Sequence, residues 1–560
     1  MASSAIRSEL VRIRASASPD GGTGPRAKAA LATVCGVLFV TFLDTTVVAA
    51  GLADIQADLR AGVASLQWVV SGYALAFAAL MLAGGTLGDR LGRKAVMATG
   101  LVIFSAGSLL GALAPSAIVL ILARVVMGVG AAASEPGTLS VLHHLYPDRR
   151  RRAQALGTWS AVSGLALALG PVLGGVMVGL SGWRGIFWLS LGLGLLGVVA
   201  TLLTVPESRD RAGGHLDLVG VGLGALAVGA ATYAVIAGEG AGYDTWWVVV
   251  SFVVAVLALA AFVGLERRTR HPVLPPGLFA DRSFTGATLA AFATFLGVFA
   301  VFFFVLLYLS VVVGTSAYQT ALAFIPMAAA MIGASVLTGR WVARSGPRTP
   351  LAIGCLLAGL GLILTDLVLG PKADVGAVAG ALVVAGVGFG MAMVPATSAA
   401  LSAVAPARSG LAASVINTAR ALGAVIGVAA LGAVVNAQLT GQLAAQLRQL
   451  GLGGSLQEFV IHAVTSGGLT KGAAVSAEQS FGPIVSQVVQ AAYDAFGAGL
   501  DLALLASGAM LVAAAFLVAA TVRGRANQGD QQSLRLDGWG ERYGARPIRP
   551  GVADPGRARP

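Results

Sequence analysis

The chain has 560 residues, of which 56% are hydrophobic and 11% are charged, and its mean hydropathy is +0.83. Soluble domains carry about 25% charged residues, so this composition excludes an ordinary water-soluble globular protein. The net charge of +12 could indicate nucleic-acid binding. However, the basic residues lie in loops between apolar runs, where they act as determinants of membrane topology, and we expect no nucleic-acid partner.

Fourteen segments meet the requirement of about 20 mainly apolar residues for a membrane-crossing helix. They lie near residues 29–53, 66–88, 95–114, 116–141, 155–180, 184–204, 217–237, 245–264, 286–312, 318–342, 350–369, 375–400, 411–435 and 497–522. The 76 glycines suit helices that pack closely in lipid through small residues. The sequence therefore predicts an all-α integral membrane protein with 14 transmembrane helices.

The basic residues are distributed unequally between the two sides of this topology. Of the 37 Lys and Arg residues, 30 lie on the side of the N-terminus, 5 on the other side and 2 within spans. Cytoplasmic loops are enriched in Lys and Arg, so we predict a multi-pass cell-membrane protein with both termini cytoplasmic. The first apolar segment is too long for a signal peptide and lacks a small-residue cleavage pattern, which predicts a retained first span.

One turn occurs twice. The segment Gly85–Lys94 follows span two, and a degraded version, Gly339–Arg348, follows span ten. Both fall between the second and third span of a six-span unit, which predicts two parallel six-helix bundles with two inserted central helices. The predicted regions are a cytoplasmic tail at 1–28, a bundle at 29–204, the inserted helices and a cytoplasmic linker at 205–284, a bundle at 285–522 with an extracellular loop at 436–496, and a cytoplasmic tail at 523–560.

Five motifs stand in order along the chain. They are Leu43–Val48 in span one, the Gly85–Lys94 turn, Arg124 with Gly128 and Gly130 in span four, Gly164 with Gly170–Gly175 in span five, and the Trp183–Phe187 turn. On these motifs the chain resembles the major facilitator superfamily, specifically its fourteen-span drug:proton antiporter branch, over about residues 30–435 and the last span. Departures from the family pattern are Ser190 in place of Asn, Ser310 and Ala421 in place of Gln, and the lack of a proline near Gly51. They affect the expected substrate more than the class of protein.

Three charged residues lie inside predicted spans, where a charge costs something like 2.5–3.5 kcal/mol at the bilayer centre. Asp44 lies near the middle of span one, whereas Arg124 and Glu135 share one face of span four about 16 Å apart. Because that separation is too long for a direct pair, each needs another partner: water, substrate or Asp44. A carboxylate in an apolar cavity can bind a proton near neutral pH. We predict a proton-coupling or substrate site of Asp44, Arg124 and Glu135; the alternatives are a structural role and, for Glu135, a position near the outer membrane face.

The resemblance implies two mechanical elements. Gly85, Asp89, Arg90, Gly92 and Arg93 would form a cytoplasmic gate that latches the two bundles on the inside, with Asp89 placed at the N-terminus of the next helix. The alternative is a simple topology signal. The antiporter motif of Gly164, Gly170, Pro171, Gly174 and Gly175 would pack closely and bend span five, and the alternative is ordinary small-residue packing.

Other positions are open to two interpretations. Asn417, Arg420 and Tyr308 are possible cavity residues, although Arg420 could also snorkel to the interface. The run Phe295, Phe299, Phe302, Phe303 and Phe304 could line a cavity or face lipid. We expect no metal site, because the sequence has no zinc-type spacing and its two cysteines, Cys35 and Cys355, lie inside apolar runs.

The leading hypothesis for function is proton-motive-force-driven export of amphipathic small molecules. No Gly-x-x-x-x-Gly-Lys-Ser/Thr sequence is present, so direct use of ATP is not expected, and we expect no cofactor. The alternative within transporters is a proton-coupled uptake symporter or facilitator for a small metabolite, which the span-five motif disfavours. A membrane-embedded enzyme or receptor would need a metal or nucleophile constellation, and the spans lack His-x-x-x-His and Cys pairs. The expected partners are membrane lipid, a small-molecule substrate and protons, with a monomeric chain.

Overall fold

The computed structural model describes residues 24–146, 149–208, 217–269, 276–371, 373–404, 409–449 and 484–524. In this part of the chain, fourteen helices are long and apolar enough to cross a membrane, which confirms the predicted number of spans. They are α1 Pro25–Val47, α2 Val63–Leu91, α3 Arg93–Ala112, α4 Ala117–Leu145, α5 Arg149–Ser181, α6 Arg184–Thr204, α7 Leu218–Ala241, α8 Trp246–Arg268, α9 Arg282–Ala300, α10 Ala317–Ser345, α11 Arg348–Val368, α12 Val375–Ser402, α13 Ser409–Gln449 and α14 Ile484–Thr521.

Several helices begin at a polar side chain that caps the first turn, whose N–H groups have no partner within the helix. Asp281 accepts hydrogen bonds from the backbone N–H groups of Ser283 and Phe284, at 2.8 and 3.2 Å, before α9. Ser316 and Gln319 form a reciprocal capping box at the start of α10. These capping residues mark where α9 and α10 begin.

The first and ninth spans both depart from a regular α-helix. After α1, a 3-10 turn at Val48–Gly51 leads into a two-turn helix, Leu52–Leu59, and Arg60 follows with φ 50°. Span one is therefore interrupted at Val48–Gly51 without the proline that the family pattern has near Gly51. After α9, the span continues through two π-helical turns at Val301–Val305 and Leu309–Val313.

The two sets of six helices pack in the same pattern. In the first set α1 packs against α5 and α6, α2 against α4, and α3 against α4 and α6. In the second, α9 packs against α13 and α14, α10 against α12, and α11 against α12 and α14. Each pair in one set thus has its counterpart eight helices later. This arrangement confirms the predicted fold class of two six-helix bundles with two added helices.

The most extensive contacts between the bundles are those of α5 with α10 and of α2 with α13. The inserted helix α7 packs against both α2 and α13, and α8 packs against α7. Large apolar side chains of α8, including Val253, Val256 and Leu257, are exposed, as expected for a helix in contact with lipid. The inserted pair therefore lies at one edge of the junction between the bundles.

The region predicted as an external loop begins later than expected. Helix α13 continues to Gln449 and α14 begins at Ile484, so both ends of the 436–496 segment are helical. Leu439, Leu443 and Leu447, which share one helical face, are buried. This apolar stripe extends α13 beyond the length that a bilayer requires, while residues 450–483 lie outside the described part of the chain.

Candidate functional site

Asp44 and Arg124 form a buried ion pair between α1 and α4. Asp44 is 1% exposed and Arg124 is fully buried. Nη1 of Arg124 donates to Oδ2 of Asp44, while Nη2 donates to the Asp44 backbone carbonyl at 3.3 Å. Nε of Arg124 donates to the carbonyl of Val69 on α2 at 2.9 Å. Of the three partners considered from the sequence, the structure gives Arg124 the carboxylate of Asp44, and this contact joins α1, α2 and α4.

Ser190 and Tyr73 complete the surroundings of this pair. The Ser190 hydroxyl on α6 donates to Oδ1 of Asp44 at 3.0 Å, so each carboxylate oxygen has a donor. The Arg124 guanidinium lies over the Tyr73 ring, 4.5 Å from its centroid. From the sequence, Ser190 was recognised only as a departure from the family pattern. The available signal was its short polar side chain inside the apolar span after the Trp183–Phe187 turn.

Glu135 is fully buried where α4 meets the second bundle. The side-chain amide of Asn417 on α13 donates to Oε1 of Glu135 at 3.1 Å. In the described part of the chain, Oε2 of Glu135 has no hydrogen-bond partner. The structure therefore brings together two predicted site residues that are 282 positions apart.

The structure relates the position of Glu135 along α4 to the start of α1. Glu135 lies in the second half of α4. Tyr146, the residue that follows this helix, donates a hydrogen bond from its hydroxyl to the Ala27 carbonyl at 3.4 Å. Ala27 belongs to the first turns of α1. Glu135 thus lies toward the membrane side on which the chain enters its first span.

Arg420 extends the Glu135 contact into the second bundle. It is 4% exposed and does not snorkel to the interface. Its guanidinium donates to the Asn417 side-chain oxygen at 3.1 Å, and on α12 to the Met393 carbonyl at 3.0 Å and the Thr397 hydroxyl at 2.7 Å. A continuous polar chain therefore connects α4, α13 and α12 through buried side chains.

The glycines of the antiporter motif face two different neighbours, namely α1 and the second bundle. A Cβ atom at Gly170 would overlap the hydroxyl of Thr46 on α1 and lie 2.8 Å from its Cβ. A Cβ at Gly174 would overlap the Val47 carbonyl, and Gly175 is also buried in α5. Gly164 faces the second bundle instead, where its Cβ would make ordinary contact with Met393 at 3.6 Å.

Pro171 explains a hydrogen bond within this close contact. Proline has no N–H, so the carbonyl four residues earlier, that of Leu167, loses its helical donor. The Thr46 hydroxyl donates to this Leu167 carbonyl at 3.1 Å. Helix α5 runs through Pro171 without interruption, and the contact lies directly before the 3-10 turn of span one. Gly170 makes room for the residue that satisfies the carbonyl freed by Pro171.

The predicted gate is arranged differently from the expectation. Asp89 and Arg90 lie in the last turn of α2, not at the start of α3, because α2 continues to Leu91 and the chain turns at Gly92 alone, with φ 113°. The side chains of Asp89 and Arg90 lie outside the described residues. Arg93 begins α3, and its backbone N–H donates to the Ser208 carbonyl at 3.1 Å. Gly85 lies inside α2, where its Cβ would be 3.5 Å from Pro136.

Tyr308 and the phenylalanine run lie inside the protein. Tyr308 is 2% exposed and stacks on Phe496, with ring centroids 5.9 Å apart. The five phenylalanines of the run are at most 4% exposed, so they do not face lipid. Among the described residues there is no group of three or more His, Cys, Asp or Glu side chains placed to hold a metal ion.

Comparison with known proteins gives consistent results. The family model described as Major Facilitator Superfamily matches residues 34–428. The multidrug resistance protein Stp of Mycobacterium tuberculosis is 35% identical over 412 residues, covering 74% of this chain and 76% of Stp. The methylenomycin A resistance protein of Streptomyces coelicolor is 36% identical over 407 residues, covering 73% of this chain and 85% of the relative.

A solved structure agrees with the fold. It is a bacterial homologue of the human lysosomal transporter Spinster in an inward-facing, unoccupied conformation, with a TM-score of 0.60 at 19% identity. The alignment covers 90% of this chain and 99% of that chain.

Proposed function

Because the chain belongs to the Major Facilitator Superfamily, we propose that it exports amphipathic small molecules across the cell membrane in exchange for protons. The named relatives support drug or antibiotic export, since Stp is called a multidrug resistance protein and LfrA of Mycolicibacterium smegmatis, 32% identical over 415 residues, a multidrug efflux pump. The proposed activity is transport without covalent chemistry on the substrate, by a monomeric chain without a cofactor.

Proton coupling is supported by one observation above all: two carboxylates, Asp44 and Glu135, are completely enclosed at helix contacts inside the protein. A buried charge is costly in a membrane and marks ion or proton pathways. In the proposed cycle the two bundles rock about the α2–α13 and α5–α10 contacts, and the exchange of proton and substrate is tied to that motion.

Transport assays in proteoliposomes test this proposal directly. With the purified protein reconstituted, an imposed pH gradient should drive ethidium or puromycin out of the compartment that corresponds to the cytoplasm, and should drive protons the opposite way. Symport of the two species in one direction would instead establish the uptake alternative. Substrate movement unaffected by the pH gradient would refute proton coupling.

The orientation of the chain is part of the proposal, with both termini in the cytoplasm. It is supported by the unequal distribution of basic residues and by the even number of described spans. In a variant with Cys35 and Cys355 replaced, a cysteine at Ser466 should react with a membrane-impermeant maleimide added to intact cells. Labelling of this position only after the cytoplasmic side is opened would contradict the orientation.

The Gly85–Arg93 turn is proposed to stabilise the closed state of the cytoplasmic side. We expect Asp89→Asn to reduce efflux several-fold at equal membrane abundance, because the turn sequence places one negative charge among Arg90, Arg93 and Lys94 and asparagine removes that charge. Asp374→Asn is the matched control, since asparagine caps a helix as well as aspartate and Asp374 caps the exposed start of α12. Equal efflux in both variants would mean that the Asp89 turn determines only the membrane topology of the chain.

A further inference from the structure

We infer that Glu135 is the group that binds and releases the transported proton, while Asp44 serves as the structural ion-pair partner of Arg124. This inference rests on the proposed function for the fate of the proton, but the assignment itself concerns only which carboxylate titrates. It follows from the different hydrogen-bonding environments of two equally buried carboxylates.

The carboxylate of Asp44 is fully compensated. One oxygen accepts from the Arg124 guanidinium and the other from the Ser190 hydroxyl. Arginine does not lose its proton in proteins, so the buried Arg124 guanidinium needs the Asp44 carboxylate as its charged partner. The contacts of Arg124 with Asp44 and with the Val69 carbonyl also hold α1, α2 and α4 together.

Glu135 has no such compensation. In the described part of the chain its carboxylate accepts one hydrogen bond, from the neutral amide of Asn417, and its second oxygen has no partner. A buried carboxylate without a direct cationic partner is more costly as an anion than as a neutral acid. The geometry thus leaves one oxygen of Glu135 free to carry a proton without breaking an ion pair.

The nearby charges support this assignment. The described ionisable side chains on Glu135's own helix and on the helices packed against it include Arg124 on α4, Asp44 on α1, Tyr73 on α2, Arg93 and Lys94 at the start of α3, Arg151 at the start of α5 and Arg420 on α13. Arg420 attracts the ionised form of Glu135, yet its guanidinium donors go to Asn417, Met393 and Thr397. The attraction therefore acts across Asn417 without a direct ion pair.

This placement ties proton binding to the contact between the bundles. Glu135 belongs to the first bundle, and Asn417 and Arg420 belong to the second. An ionised Glu135 draws the Asn417–Arg420 group toward α4, whereas a protonated Glu135 loses most of that attraction. Proton binding at Glu135 consequently weakens a contact that must separate when the bundles part on this side.

Infrared difference spectroscopy of the purified, lipid-reconstituted protein tests the assignment without any transported substrate. On titration through neutral pH, the wild-type protein should gain and lose a carboxylic acid C=O band, recorded in an Asp366→Asn/Asp501→Asn background because these two adjacent carboxyl groups can contribute bands of their own. The band should be missing in Glu135→Gln and retained in Ser190→Ala, which removes a donor from Asp44 but keeps the ion pair. A band that persists in Glu135→Gln and shifts in Ser190→Ala would overturn the inference.

A transport measurement separates this inference from the proposed function. In liposomes, Glu135→Gln should still move ethidium down its own gradient but should lose pH-driven accumulation. Wild-type protein that shows the infrared band without pH-driven export would refute antiport and leave the proton site intact. Full pH-driven export by Glu135→Gln would refute the inference and leave antiport intact.

Discussion

Replacing Arg124 by alanine is expected to lower the free energy of unfolding by about 3–5 kcal/mol, because a buried Asp44 carboxylate would lose its charged partner. The guanidinium also donates to the backbone of Asp44 and of Val69, so the variant would loosen the contact of α4 with α1 and α2. Denaturant or thermal unfolding of the detergent-solubilised protein measures the loss.

A second ion pair in the same bundle provides the control. Arg184 and Asp58 are 2.5 Å apart, but their side chains are 39% and 49% exposed. Exposed pairs contribute about 0–1 kcal/mol, so Arg184→Ala should change stability far less than Arg124→Ala. In the Asp44→Ala/Arg124→Ala double variant the loss should be smaller than the sum of the two single losses. Additive losses would mean that the two side chains do not stabilise each other.

The spans were predictable because a membrane helix is a local feature of the sequence. Twenty apolar residues in succession suffice to indicate one, and the repeated Gly85–Lys94 turn marks the same position in each bundle. The ion pair of Arg124 with Asp44 was also predictable as one of a few possibilities, since a charge inside a span needs a partner and few candidates exist. Helix ends were less accurate: α13 continues to Gln449 because its apolar stripe continues past the membrane.

The contacts between distant helices were not predictable from the sequence. The partner of Glu135 depends on how α13 is rotated against α4, and no local pattern encodes that rotation. The role of Ser190 was missed for the same reason, since a serine in an apolar helix usually bonds to its own backbone. Here its hydroxyl donates to Asp44 on another helix. The structure thus supplies the pairing that distinguishes the two buried carboxylates.

The contact between α1 and α5 illustrates how three residue types act together. Pro171 frees a carbonyl, Thr46 satisfies it, and Gly170 provides the space for Thr46. The antiporter motif of span five contains only the glycine and the proline, so two of these three residues are visible in it. The third lies in span one, directly before the Val48–Gly51 turn, so a change at Gly170 also affects the irregular part of that span.

Gly170→Leu is therefore expected to reduce export by at least about tenfold, because its Cβ would overlap the Thr46 hydroxyl and lie 3.0 Å from the backbone nitrogen of Val47. Overpacking costs about 1–3 kcal/mol or more, and 1.4 kcal/mol already changes a conformational population about tenfold. Initial rates of pH-driven ethidium efflux at matched protein density measure the effect.

Gly36→Leu on α1 is the matched control, because a Cβ at Gly36 would have no atom within 4 Å apart from its chain neighbours and the backbone of α1, and the residue is exposed. The same side chain is thus added to span one, away from α5, and export should stay close to wild type. Equal losses in the two variants would attribute the effect to leucine in a membrane helix generally. Export unchanged in Gly170→Leu would mean that α1 and α5 can separate without cost, and that the Thr46–Leu167 hydrogen bond has no part in the transport cycle.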